Sequence, residues 1–118
     1  MNTDWMPEAY EKANNGDWSQ FTEHIDADHY THQVPASGLH YTSRADAIEG
    51  LKQRYAETNM RQTVQSVAQH GDFVIANVLV TSNLYTQPTA VVHVFRVEND
   101  KFVELIASYP PPAAASQH

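Results

Sequence analysis

The chain has 118 residues, 7 Lys and Arg against 14 Asp and Glu, no cysteine, and 42% hydrophobic residues. That length suits one domain rather than two, and a formal charge of -7 argues against nucleic acid as a partner, because phosphate binding draws on clustered Lys and Arg. The lack of cysteine removes disulfides, thiolate metal sites and cysteine nucleophiles, and it suits a cytoplasmic setting.

Asp4 is placed to cap a first helix running to about Asn14, with Trp5, Ala9 and Ala13 at a spacing of four and Gly16 as its stop. Asp17 opens a short second helix whose Trp18, Phe21 and Ile25 share one face. Asp28 to Val34 reads as extended, and Pro35 breaks it before a polar loop holding Ser37 and Gly38. Ser43 and Asp46 form a capping-box-like start for a third helix, which carries Ala45, Ile48, Leu51 and Tyr55 and ends near Thr58.

After Met60 the pattern predicts four strands, with turns at Gly71-Asp72, around Asn83 to Pro88, and at Asn99-Asp100. Phe73 to Ser82 is apolar on nearly both faces, which predicts a central strand covered on each side by helices, a partner subunit or both. The longest apolar run, Phe73 to Val80, is interrupted by Asn77, so no signal peptide or membrane span is expected. Residues 110–118 form a Pro/Ala-rich tail expected to be loose.

Helices ahead of antiparallel strands predict an α+β domain over residues 1–109, with the helices on one face of a bent sheet enclosing a cavity. The strand period of two groups Val91, His93 and Phe95, and on the last strand Val103, Leu105, Ala107 and Tyr109, with Glu104 pointing the other way. A lone histidine on an apolar face is more often a hydrogen-bonded core residue than a reactive one. Asp28, Tyr30, His32 and Val34 share a face in the same way. Tyr55 and Asn77 are expected to point inward, Asn77 being either satisfied by neighbours or aimed at a ligand. His29, His32 and His40 invite a metal reading, but His29 and His32 project from opposite faces of a strand, so no metal site is expected.

The segments DHYTHQVP (28–35) and AVVHVFRVENDKFVELIASYPPP (90–112) resemble the SnoaL-like polyketide cyclase branch of the NTF2-like superfamily. The resemblance implies a cone-shaped α+β barrel in which three helices pack on a strongly curved, mostly antiparallel sheet. It also implies a deep pocket, and a homodimer formed through the sheet. Family cyclases close rings by aldol chemistry without metal or cofactor, using a histidine and an aspartate from the last hairpin. The histidine position falls on His93, while the family's His-Trp-Asp becomes Leu105, Ile106 and Ala107.

The resemblance therefore favours His93 as a pocket residue, base or donor, with Tyr30 and His32 lining the wall and assisting. It leaves the usual carboxylate replaced by a methyl group. The expected function is a pocket for a small apolar organic ligand or substrate, either a cofactor-independent cyclase or isomerase of a carbonyl compound, or a binding or dimeric interaction domain without catalysis. A purely structural module with a filled interior is the third reading.

Overall fold

In the computed structural model, which describes residues 1–109, helix α1 spans Met6–Asn14 and buries Met6, Ala9, Tyr10 and Ala13. The expected tail, 110–118, lies outside the described residues. Asp4 does not cap α1. The backbone is already helical at Trp5, Met6 N donates to the Thr3 carbonyl, and Pro7 presets the first turn where no N–H is needed. Helix α2 covers Ser19–His24, and Asp17 Oδ1 accepts from Ser19 N at 3.0 Å just ahead of it. Trp18, Phe21 and Ile25 are buried as a group.

The first strand is shorter than its sequence pattern. The Asp26 carboxylate accepts from the backbone N–H groups of Asp28 (2.8 Å) and His29 (2.9 Å), so residues 27–29 bend and β1 begins only at Thr31, running to Val34. The expected polar loop is instead a hairpin. A 3₁₀ turn at Pro35–Ser37 and Gly38 at φ 73° reverse the chain, and β2 (Leu39–Tyr41) pairs back onto β1.

Helix α3 spans Arg44–Thr58, with Ser43 Oγ accepting from Asp46 N at 3.1 Å and Asn59 closing it at φ 52°. Arg44 Nη1 donates to the carbonyls of Thr22 and Ile25, each at 3.2 Å, and so ties the start of α3 to the end of α2.

The remaining strands, β3 (Arg61–His70), β4 (Phe73–Thr81), β5 (Thr89–Glu98) and β6 (Lys101–Ser108), form the expected antiparallel meander. Asn99 and Asp100 both take positive φ, as a two-residue type I′ hairpin demands. β1 joins β6 in parallel, giving the order β2-β1-β6-β5-β4-β3. The α+β class and the three helices are as expected, but the sheet is open rather than a closed barrel, because β2 and β3 are unpaired edges among the described residues. Register shifts at Val64/Ser66 and at Arg96/Val97 bend it.

The second of these shifts also reassigns the core. Strict alternation grouped Val103 with Leu105, yet Phe102 is the residue that joins Leu105 and Phe95 in the main core cluster, because the irregularity opposite Arg96/Val97 inserts one residue. On β4, Val74, Ala76, Val78 and Val80 are wholly buried while Phe73, Asn77 and Thr81 are exposed. The strand is thus covered on one face within the chain, not on both.

Candidate functional site

The concave face of the sheet and the three helices enclose a cavity of about 180 Å³. All six tyrosines of the chain border it: Tyr10, Tyr30, Tyr41, Tyr55, Tyr85 and Tyr109. His32, His93 and Gln62 add polar atoms, Arg54 is the one permanently charged residue on the wall, and no carboxylate lines it among the described residues. Phe95, Leu105 and Ala107 contribute to the wall as their strand faces predict.

The β-ladder explains how an imidazole fits at position 93. His93 pairs with Ala76 on one side and Ala107 on the other, so methyl groups flank it where larger side chains would crowd it. Its Nδ1 lies 2.7 Å from Tyr10 Oη and its Nε2 lies 3.4 Å from Tyr109 Oη, while Gln62 Nε2 donates to Tyr109 Oη at 2.9 Å. Burial, and secondarily the nearby His32, push the His93 pKa down to about 3. Burial holds the Tyr10 phenol well above its usual range, so it keeps its proton. The neutral ring donates from one nitrogen and accepts at the other, and the Tyr10 and Tyr109 hydroxyls, each able to play either role, are the two partners.

His32 stands on β1 opposite Tyr41 and Leu105 in the register. Its ring meets Tyr30 edge-on (6.4 Å, 89°) and Tyr41 edge-on (5.8 Å, 86°). The side chain is 2% exposed and its Nδ1 is buried with no hydrogen-bond partner. Desolvation pushes its pKa down to about 4. Tyr41 in turn rests on Gly50 of α3, where an added Cβ would collide with the phenol oxygen. Glycine inside a helix ordinarily costs about 1 kcal/mol against alanine, and here it gives Tyr41 its seat.

Of the expected site residues, Tyr30, His32, Tyr55, His93, Phe95, Leu105 and Ala107 all meet at this cavity. Asn77 does not. It is exposed on the opposite sheet face and donates to Ser66 Oγ at 2.9 Å, because the alternation that buries Ala76 and Val78 turns it outward. Glu104 is also on that outer face, bonded to Arg96 Nε at 3.3 Å. Sequence reasoning missed Tyr10, although Met6, Ala9, Tyr10 and Ala13 follow the i, i+3, i+4, i+7 spacing of a buried helix face. It also missed Gln62 and Tyr41, whose places depend on pairing distant in the chain.

Among the described residues no group of three or more His, Cys, Asp or Glu side chains is arranged to hold a metal ion, and no helix is long and apolar enough to cross a membrane.

The sequence profile of the SnoaL-like domain family matches residues 8–105. No curated protein matches the chain. Among solved structures, the chain is similar to a candidate ketosteroid isomerase from Kribbella flavida (TM-score 0.71, 19% identity, covering 86% of this chain and 72% of that one). It is also similar to IdmH, a candidate polyketide cyclase from Streptomyces antibioticus (0.71, 20%, covering 89% and 88%). A candidate polyketide cyclase from Sinorhizobium meliloti is similar at 0.74 and 10% identity, covering 91% and 99%. At these identities the likeness is one of fold, and it extends to other proteins of the NTF2-like type. With the profile spanning most of its length, the chain belongs to the SnoaL-like domain family.

Proposed function

We propose that residues 1–109 form one unit that encloses a small, uncharged, largely apolar organic molecule. The observation that carries this is the make-up of the wall, which is mostly aromatic and aliphatic, with two imidazoles held neutral, a glutamine, Arg54 as its one permanent charge, and no carboxylate among its described residues. An apolar hollow of about 150 Å³ takes up benzene, so about 180 Å³ suits a single substituted ring. The alternative is catalytic, with His93 taking or giving a proton while Tyr30 and His32 donate to a carbonyl. It is disfavoured because an imidazole at about 3 is a weak base near neutrality, and because Ala107 presents a methyl group beside it.

Trp18 borders the cavity, so its fluorescence reports occupancy. Titration with toluene or phenol is expected to give a saturable change that Ala107→Leu, which fills the hollow, weakens at least about tenfold. No saturable change with either compound overturns the reading. In parallel, Ala107→Asp places a carboxylate beside His93. Ring closure of a polyketone appearing only in that variant supports a binding protein built on a cyclase frame, whereas closure by the natural sequence establishes the catalytic alternative.

The reading extends to a homodimer through the outer sheet face. There the register sets Ile75, Val94 and Ile106 in one apolar row across three strands, with Ile106 and Phe73 exposed. Sedimentation velocity is expected to give a dimer that Ile106→Lys disperses. A monomer at all concentrations removes this part and leaves the cavity untouched.

A further inference from the structure

Among the described residues, one side-chain polar atom of the cavity lining is fully buried with no partner. Tyr10, His93, Tyr109 and Gln62 bond to one another, whereas His32 Nδ1 is buried with no partner. A buried polar atom left unmade costs stability, and a ring at this position packed edge-on between Tyr30 and Tyr41 needs no nitrogen for that packing. Phenylalanine would make the same edge contacts without the cost. The nitrogen is therefore unexplained by the fold, and it belongs to a residue that lines the hollow.

Resting on the reading of the cavity as a ligand site, we propose that His32 Nδ1 is the polar anchor of the guest and that the guest carries a hydroxyl group. A neutral imidazole has one nitrogen that donates and one that accepts, according to its tautomer. A hydroxyl does both, so it completes His32 in either tautomer, which a carbonyl, an ether or a halogen cannot. The ligand class is then a phenol or a cyclic alcohol, its ring among the aromatic walls and its oxygen at His32. Tyr41 seated over Gly50 holds the outer edge of the imidazole and fixes where that oxygen comes to rest.

The test compares phenol with toluene, which differ by a hydroxyl against a methyl of similar size, on the natural protein and on His32→Phe. Replacement is expected to weaken phenol at least about tenfold relative to toluene, and to leave the melting temperature unchanged or raised, since an unpaired buried nitrogen has been removed. A melting temperature that falls while the phenol-to-toluene ratio stays constant assigns His32 a structural role and overturns the proposal. A second readout needs no variant: the ¹⁵N resonances of His32 in the natural protein should move on adding phenol and not on adding toluene. Equal response to both also overturns the anchor while preserving the cavity. Binding of neither compound instead removes the cavity reading itself.

Discussion

Acidification from about pH 7.5 to about pH 5 is expected to remove about 4 kcal/mol of folding stability, shared about equally between His32 and His93. Both imidazoles have folded-state pKa values below the unfolded 6.5, His32 at about 4 and His93 at about 3, each mainly through burial. A depressed histidine pKa means that the unfolded chain binds more protons. The neutral rings are therefore tolerated in full above about 6.5, and stability falls as pH drops below it. The loss continues until each folded pKa is passed, at about 4 and then about 3. Asp17 and Asp26 are held below the ordinary carboxylate range by hydrogen bonds from Ser19 and from the Asp28 and His29 backbone.

Urea midpoints across that range measure the slope directly. For His32→Phe the loss should halve. A flat profile would mean that water reaches both rings. Because domains are commonly stable by only about 5–15 kcal/mol, this one term brings the protein close to acid unfolding.

Phe102→Ala is expected to cost about 3–5 kcal/mol, the usual range for removing a large buried aromatic side chain. Phe102 is wholly buried, stacks on Phe95 at 4.2 Å and 21°, and meets Trp5 at 5.7 Å. Its carbonyl accepts from Asp26 N at 2.9 Å, which joins the end of α2 to the start of β6. The effect reaches the site because Phe95 lines the cavity, and without its stacking partner that ring can tilt away from the wall. Denaturant unfolding checks the magnitude, and a cost below about 1 kcal/mol would contradict the packing described.

What could be read from the sequence was local. The Ser43 cap, the alternation of Val91, His93 and Phe95, and the turns at Gly71 and Asn99 are set by neighbours within a few residues, and all appear in the fold. The errors arise where pairing at a distance decides. β2 has three residues and exists because Leu39 and Tyr41 find Val34 and His32 across a turn. Phe102 displaced Val103 through a register irregularity that no period of two contains. Asn77 was misplaced by assuming two covered faces where the chain alone covers one. The unpartnered nitrogen of His32 has no sequence signature, since it is defined by what the surrounding side chains fail to supply.

Because every tyrosine of the chain borders one hollow, the molecule carries its own chromophore for that space. Ultraviolet difference spectra, alkaline phenol titration and mild iodination, which in most proteins average over scattered rings, here report on a single enclosure. Burial delays ionisation of Tyr10, Tyr30, Tyr55 and Tyr109 beyond the ordinary phenol range. Collapse or flooding of the interior would therefore register as an early absorbance step, in solution and without a label.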